Sequence, residues 1–348
     1  MTTGIAVLNF GEPGAADRET VVDYLERIFL ANMDIEGETT EEAARERARS
    51  LAERRAPGLM EEYEEIDGSP LNAHAERQAD LLEQELKDRG YDVETFLGFQ
   101  FMEPFISDAA GAAKDAGVDH LVGLPVYPLC GPSTTVQSLE KLAAAVEELA
   151  WDVEYDELTG YHTHSAYARL RADNIRRTLD RAGLELDEDT RLIFSAHGTP
   201  TYYLDEGSRY VQYVEEYCDM VAGMLGNPDY ELGYQNHANR DVEWTQPDVE
   251  DVVETIDADR IVVDPSSFMH EQSETLSELD VELREEAEER GIEFTRVPVP
   301  YDDERFIGLL SDMIEPFVAG FDPDLYGLQQ CTCRPEPNTM CLNSRRNE

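Results

Sequence analysis

Basic residues are scarce in this chain. Its 348 residues include 76 acidic and only 28 basic side chains, giving a formal net charge of −48, and the only lysines are Lys87, Lys114 and Lys141. So large a negative charge repels phosphate backbones and anionic lipid, which excludes proteins that bind nucleic acid or membranes by electrostatic attraction. Because the acids are spread along the whole chain, we interpret them as an adaptation to a salt-rich cytoplasm, where screening removes the self-repulsion.

Long apolar runs are also missing. No stretch approaches the roughly 20 apolar residues that a membrane-spanning helix needs, and residues 1–9 form a strand-like run without a basic flank. With 41% hydrophobic residues, the chain nevertheless has enough apolar content for a large core. The sequence therefore predicts a globular cytoplasmic protein without an integral membrane segment, and it leaves the oligomeric state open.

Two common catalytic motifs are absent as well. No Gly-x-Ser-x-Gly elbow occurs, which argues against a serine hydrolase of the α/β class. The first strand is followed by Gly11-Glu12-Pro13-Gly14, which has neither of the glycine spacings that cradle phosphates. A nucleotide-binding α/β protein is therefore disfavoured.

What the chain does contain is a regular alternation of short apolar runs and amphipathic segments. This pattern predicts strands at residues 5–10, 93–99, 120–127, 153–158, 192–196, 231–235, 260–263 and 293–297. The same pattern predicts helices at residues 19–29, 73–89, 137–149, 165–182, 207–225 and 274–290. Alternation of this kind is typical of parallel sheets with right-handed crossovers, so we expect an α/β protein of two doubly wound, Rossmann-like halves.

The strands divide evenly, which suggests where the halves meet. We expect an N-terminal half at residues 1–158, a C-terminal half at 159–321 and a polar tail at 322–348 that holds three of the five cysteines. Residues 38–66 carry Glu, Arg and Ala at helical spacing and predict an exposed, charged helix leaning over one half, interrupted at Pro57-Gly58.

One histidine and one glutamate are placed for chemistry. His197, in Phe194-Ser195-Ala196-His197-Gly198-Thr199-Pro200, comes just past an apolar strand, where open α/β sheets place their ligands. Glu274 begins an acidic helix. A neutral imidazole can accept a proton or ligate a borderline metal, and a carboxylate can hold a divalent ion or relay protons.

Two further acids accompany Glu274. Glu271, Glu274 and Glu278 are spaced three and four residues apart, so they would share one face if the whole segment were helical. Such a line could conduct protons or metal ions to or from the site. The alternative is that Glu271 and Glu278 belong to the general acidic surface.

Several short segments, in order, resemble the ferrochelatase family. The resemblance runs from about residue 5 to residue 316 and is carried by Val7-Leu8-Asn9-Phe10-Gly11-Glu12-Pro13, Gly68-Ser69-Pro70-Leu71, Gly98-Phe99-Gln100-Phe101, Tyr127-Pro128, Ser133-Thr134-Thr135 and the segments around His197 and Glu274. It implies insertion of Fe(II) into protoporphyrin IX or coproporphyrin III in haem synthesis, with release of two protons, in a cleft between the halves.

The resemblance also implies site residues. His197 matches the family's catalytic histidine and Glu274 its essential carboxylate; we favour His197 as the proton acceptor, with metal contact by His197 and Glu274 as a second role. Phe10 and Trp244 match positions near the pocket, although Phe10 fits a core residue at the end of a strand equally well. Because the carboxylates of a porphyrin need hydroxyl or cationic partners, Ser133, Thr134 and Thr135 are candidates for binding a propionate. Residues 19–33 match a lip over the pocket. Within this segment, Tyr24, Phe29 and Met33 are equally consistent with contact to the porphyrin and with the apolar face of an ordinary amphipathic helix.

One departure affects the proton path. Many relatives have a histidine two positions before the essential glutamate, whereas this chain has Gln272, and nearby His270 is a candidate substitute. The other histidines, His74, His120, His162, His164 and His237, are expected to be structural or surface residues.

The cysteines raise a separate question. Cys331-Thr332-Cys333 and Cys341 form a C-x-C-x7-C tail, and Cys130 precedes the Ser-Thr-Thr segment. Some ferrochelatases hold a [2Fe–2S] cluster with three C-terminal cysteines and one from elsewhere, which implies these four as ligands and leaves Cys218 as an ordinary buried thiol. Zinc and unliganded thiols are the rival interpretations.

Two other functions fit the same pattern. A cobalt or nickel chelatase of a corrin-type pathway would share the fold and the histidine, although such relatives typically have a second histidine where Glu274 stands. A non-catalytic porphyrin or haem carrier would need the aromatic cleft but not the acidic residues.

Overall fold

The computed structural model describes residues 2–31, 40–237 and 242–342. Met33, predicted to lie on the pocket lip, is outside the described residues, as is the end of the tail beyond residue 342. Within the described ranges the protein is a mixed α/β structure with two separate sheets.

The first sheet contains the four predicted strands of the N-terminal half. They are β1 (Thr3–Asn9), β2 (Val93–Phe99), β3 (His120–Pro125) and β4 (Glu154–Thr159). All neighbouring pairs among these four are parallel, in the order β2-β1-β3-β4. Because β1 lies between β2 and β3, the crossovers run to opposite sides of it, which creates a crevice at the carboxyl ends of β1 and β3.

The tail extends this first sheet, which the sequence analysis did not foresee. Its strands β9 (Gln329–Gln330) and β10 (Thr339–Cys341) follow β4 in the sheet, with β10 parallel to β4 and antiparallel to β9. Two side chains anchor this extension: Arg334 donates to the buried Glu157 carboxylate over 2.6 and 2.8 Å, and Thr339 donates to the same group.

The second sheet contains the other four predicted strands, again all parallel. They are β5 (Thr190–His197), β6 (Tyr230–Gln235), β7 (Arg260–Pro265) and β8 (Glu293–Arg296), in the order β6-β5-β7-β8. The two central strands read as continuous apolar runs because helices cover both faces, as is usual for parallel sheets.

The helices pack on both faces of each sheet. They are α1 (Arg18–Ala31), α2 (Glu41–Glu65), α3 (Leu71–Asp88), α4 (Ile106–Ala116), α5 (Gln137–Glu148), α6 (Ser165–Ala182), α7 (Tyr202–Asp205), α8 (Tyr210–Leu225), α9 (Val249–Thr255), α10 (Arg284–Glu289) and α11 (Glu304–Ala319). Of these, α4, α7, α9 and α11 were not predicted. One continuous apolar cluster, with members from Ile5 to Leu328, joins the two sheets into one body.

Two helical predictions need correction. The charged helix α2 continues through Pro57 instead of stopping there, because a stripe of small and apolar side chains from Ala48 to Tyr63 is buried and packs with α1. The segment after β7 is a π helix over Glu274–Leu283 that continues as α10, and a shorter π-helical turn, Pro132–Val136, precedes α5. Hydrogen bonds from i to i+5 have no recognisable sequence signature.

Among the described residues, no helix combines the length and apolar character needed to cross a bilayer.

Candidate active site

His197 lies at the carboxyl end of the central strand β5, and hydrogen bonds hold both its backbone and its imidazole ring in place. The backbone N–H donates to Ser267 Oγ over 2.7 Å, and ring Nδ1 lies 2.6 Å from the carbonyl oxygen of Gly198. Because a carbonyl can only accept, Nδ1 must carry the proton, which leaves Nε2 with a lone pair in the neutral ring. A side chain at position 198 would collide with Asn236, so glycine is required beside the histidine.

Glu274 is attached to the same sheet edge by a glutamine that the sequence analysis missed. Gln235, at the end of β6, accepts from Ser195 Oγ over 2.9 Å. Its amide nitrogen donates to the backbone carbonyl of Glu274 over 2.9 Å and to Glu278 Oε2 over 2.8 Å. The strand that ends in His197 and the π helix that begins with Glu274 are thereby held together.

A second missed residue, Glu12, joins the two halves of the protein. Its carboxylate is buried in the loop after β1 and accepts from Ser69 Oγ, from Ser273 Oγ over 2.5 Å and from the Ser273 backbone N–H over 3.3 Å. Ser273 Oγ also lies 3.1 Å from Glu274 Oε2, so one hydroxyl bridges two carboxylates. Burial, reinforced by the negative charge of Glu274, raises the pKa of Glu12 to about 7. The sequence feature that could have identified Glu12 is an isolated acid in the loop after a buried strand.

The structure brings Glu278, but not Glu271, into line with Glu274. Burial and the neighbouring charge of Glu274 raise the pKa of Glu278 well above its ordinary value. Glu282, one further π turn along, is exposed, so the row 274, 278, 282 leads from two half-buried positions to solvent.

The expectation that Glu271 shares this face is wrong. The helix begins only at Glu274, and Glu271 precedes it in an ion pair with Arg296 at 3.0 Å while accepting from the Val299 N–H over 2.9 Å. The guanidinium of Arg296 neutralises the Glu271 carboxylate, and this pairing cannot be inferred from the spacing of the acids along the chain.

His270 does not contact Glu274. Its Nε2 bonds to Gln78 Oε1 over 2.8 Å, and full burial lowers its pKa to about 3, so the ring stays neutral. Gln272 instead donates to Glu274 Oε2 over 2.6 Å. Position 272, where the resemblance implies a histidine, therefore holds a hydrogen-bond donor to the Glu274 carboxylate.

The two predicted aromatic residues lie in different surroundings. Phe10 follows β1, where its ring is 4.6 Å from that of Phe101 and 6.5 Å from that of Tyr24. Trp244 lies 6.4 Å from the ring of His197 and 5.3 Å from the ring of His237.

Ser133, Thr134 and Thr135 form most of the short π-helical turn after β3. The carbonyl oxygens of Ser133 and Thr134 accept from Gln100 Nε2 over 3.1 and 3.3 Å. This turn therefore lies beside the crevice at the carboxyl ends of β1 and β3.

Four of the five cysteines meet near the tail. The sulfur atoms of Cys130, Cys331 and Cys333 all lie within 4.8 Å of one another, and Cys341 is hydrogen-bonded to Cys331. Cys333 Sγ also lies 2.9 Å from Tyr213 Oη. The fifth cysteine, Cys218, is buried within α8.

Comparisons with known proteins identify close relatives of the sequence. A family model described as ferrochelatase matches residues 2–317. The chain is 38% identical over 270 residues to the ferrochelatase of Synechococcus elongatus, covering 74% of this chain and 68% of that protein. It is 34% identical over 331 residues to the ferrochelatase of Thermosynechococcus vestitus, covering 91% and 82%.

Among solved structures, SirB from Bacillus subtilis with Fe3+ matches with a TM-score of 0.52 at 12% identity, covering 71% of this chain and 92% of that one. A cobalt complex of the sirohydrochlorin chelatase SirB matches with a TM-score of 0.51 at 11% identity, covering 92% and 99%. At such identities the likeness concerns the fold alone.

Proposed function

The chain belongs to the ferrochelatase family and acts as a porphyrin metal chelatase that inserts iron in haem synthesis, and we propose separate roles in this reaction for two of its residues. His197 Nε2 accepts a pyrrole proton, and Glu274 contacts the incoming Fe(II) and takes part in removing the second proton. The observation that carries the proposal is the bond from Nδ1 to the Gly198 carbonyl, because it makes Nε2 the basic nitrogen.

The reaction balance requires such a pair. A porphyrin exchanges two N–H protons for one divalent cation, so two protons must leave the macrocycle for each metal that enters. A neutral imidazole takes one proton at near-neutral pH. For the other, the row Glu274, Glu278, Glu282 offers carboxylates that lead towards solvent, and the raised pKa of Glu278 suits it to hold a proton in transit.

The test is anaerobic metal insertion in multimolar KCl, followed by porphyrin absorbance with Fe(II), Co(II) and Zn(II). Protoporphyrin IX and coproporphyrin III are assayed in parallel to name the substrate. We expect His197→Ala to abolish insertion while porphyrin binding persists, and Glu274→Gln to slow turnover by orders of magnitude.

Matched variants control for nonspecific effects. His164→Asn keeps a side-chain acceptor at the N-terminus of α6 and Glu285→Gln changes an exposed acid in α10, so both should retain activity. Insertion by the His197→Ala protein would refute the proposed role. Tight porphyrin binding by the unaltered protein without insertion of any metal would favour the alternative function of a non-catalytic porphyrin carrier.

We also propose that Cys130, Cys331, Cys333 and Cys341 hold a [2Fe–2S] cluster. Four converging thiols, three of them within 4.8 Å of one another, supply the four thiolates that such a cluster requires. When bound, the cluster would crosslink the tail to the loop after β3 and supply a one-electron redox centre. The thiols themselves serve as ligands once deprotonated.

Protein prepared anaerobically should contain iron and labile sulfide, and both should vanish in the Cys331→Ser/Cys333→Ser variant. Cys218→Ser is the matched control and should keep them, because Cys218 lies apart from the group. Zinc without sulfide would contradict the cluster and support a structural metal site.

We further propose a cytoplasmic setting of high salt, without nucleic acid partners. The charge of −48 supports this setting, since self-repulsion is tolerable only when strongly screened.

A further inference from the structure

We propose that Lys141 and Arg27 form a cationic rim that binds the carboxylate groups of the porphyrin substrate; this inference rests on the proposed function. The two residues come from different helices, α5 and α1, and both contact Phe101: Lys141 lies against its ring and Arg27 donates to its backbone carbonyl. Neither residue was singled out for this purpose by its sequence context.

Lys141 lies beside the aromatic wall of the crevice. Its Nζ is 4.1 Å from the centre of the Phe101 ring and 3.4 Å from the Gln100 carbonyl oxygen. The Phe101 ring in turn contacts that of Phe10, 4.6 Å away, at the end of β1. The ammonium group therefore lies near the carboxyl ends of β1 and β3, where the strand order reverses and open α/β sheets bind their ligands.

Arg27 approaches Phe101 from α1. Its guanidinium donates to the Phe101 carbonyl oxygen over 3.0 Å and lies 5.0 Å from the centre of the Phe105 ring. Both cations are thus held by carbonyl oxygens and aromatic faces, which hold a cation without neutralising it.

Neither cation has a carboxylate within 4.0 Å in the described parts of the chain, which is notable where acids outnumber bases 76 to 28. By contrast, Lys87 pairs with Glu83 at 2.5 Å and Arg49 pairs with Glu26 at 2.8 Å. Removal from water lowers the pKa of Lys141 to about 8, and no neighbouring acid offsets this cost. A partly buried cation without a counter-charge is a ready receptor for an anion.

The chemistry of the substrate supplies that anion. A porphyrin is a flat apolar ring with propionate groups at its periphery, so its binding site needs an aromatic surface for the ring and cations for the propionates. Phe10, partly exposed and packed against the buried ring of Phe101, offers the aromatic surface, and Lys141 and Arg27 supply cations beside it. Because Lys141 is partly buried, its attraction for a carboxylate should survive high salt better than a surface contact would.

The experiment compares a porphyrin dicarboxylic acid with its uncharged diamide, each titrated anaerobically in multimolar KCl. For Lys141→Met we expect the Kd of the diacid to rise about tenfold, the loss of one charge-assisted hydrogen bond, while the Kd of the diamide stays unchanged. Arg27→Met should act in the same direction, and Lys141→Arg should retain the preference for the diacid.

Lys114→Met and Lys87→Met are the matched controls. Lys114 is also held by a carbonyl oxygen, that of Leu149 at 2.7 Å, but far from the crevice, and both variants should bind like the unaltered protein. An unchanged Kd for the diacid in Lys141→Met, or an equal loss for both ligands, would overturn the inference. Displacement of the diacid by inorganic phosphate at matched concentration would also overturn the assignment to carboxylate.

A second measurement covers the case in which Lys141→Met fails to fold. Reductive methylation of the unaltered protein labels its three lysines, and bound diacid should protect Lys141 at least severalfold while leaving Lys87 unprotected. Equal labelling of Lys141 with and without diacid would refute the rim. Metal insertion by the unaltered protein, measured in the same series, separates this outcome from failure of the proposed function.

Discussion

A fully buried ion pair positions the loop between the two catalytic candidates, and its removal offers the sharpest test of the structure. Arg171, on α6, donates to Asp264 Oδ1 over 2.8 Å, and both side chains are completely inaccessible to solvent. The same guanidinium donates to the Pro265 carbonyl over 3.0 Å. Tyr217 donates to the other oxygen of Asp264 over 2.7 Å. The loop that follows includes Ser267, the partner of the His197 backbone.

The expected cost follows from what the variant leaves behind. Arg171→Met keeps the aliphatic stem but strands the Asp264 carboxylate in the interior, which costs about 3–5 kcal/mol. That is a large part of the roughly 5–15 kcal/mol by which a typical protein is stable. The double variant Arg171→Met/Asp264→Asn removes both charges and leaves an amide oxygen to accept from Tyr217, so most of the loss should be recovered.

The measurement is urea unfolding in multimolar KCl for the two single variants and the double variant. The coupling free energy from this cycle should exceed about 2 kcal/mol, since residues in one buried network are strongly non-additive. Arg45→Met, which removes an exposed pair with Glu41, is the control and should cost less than about 1 kcal/mol. A loss below about 1 kcal/mol for Arg171→Met, or additive losses, would refute the reasoning.

Three further predictions rest on other parts of the molecule. The pKa of Glu12 is near 4.5 in the unfolded chain but about 7 in the folded one, so between these values the metal-free folded state binds a proton that the unfolded state has lost. The free energy of unfolding should therefore fall by about 3 kcal/mol as pH rises across this window. Glu12→Gln should flatten the slope of unfolding free energy against pH, and an unaltered slope would contradict the prediction. Arg334→Met should strand buried Glu157 and release β10, seen as faster proteolysis of the tail, whereas equal proteolysis would show that strand pairing alone holds it. Dilution of KCl should lower the unfolding free energy because the charge of −48 is then less screened, and a salt-independent midpoint would contradict this.

The fold was largely predictable because buried parallel strands have a distinctive sequence pattern. All eight predicted strands are present, and β5 illustrates the reason: its apolar run is covered by helices on both faces. Not every helix was predicted. The stretch forming α11 was missed although its apolar residues recur at helical spacing, and α2 passes through Pro57 because packing with α1 outweighs the local cost of proline.

The candidate site was predictable only in part. His197 follows a strand, so its place at the carboxyl edge of the sheet follows from the chain direction alone. Glu12 and Gln235 were not identified, because their importance comes from partners 261 and 40 residues away. An arginine within a helix is ordinarily expected to be exposed, and Arg171 is buried only because it forms an ion pair with Asp264 of the second sheet.

By itself, the sequence determined the strand and helix alternation, the acidic character and the positions of His197, Glu274 and the cysteines along the chain, because these depend on local pattern and composition. Only the tertiary structure decided which acids meet, that Glu271 is neutralised by Arg296, and that Lys141 lies against Phe101 with no carboxylate of the described residues in contact with it. The physical reason is that charge pairing and burial depend on distances through space, and residues far apart in the chain set those distances.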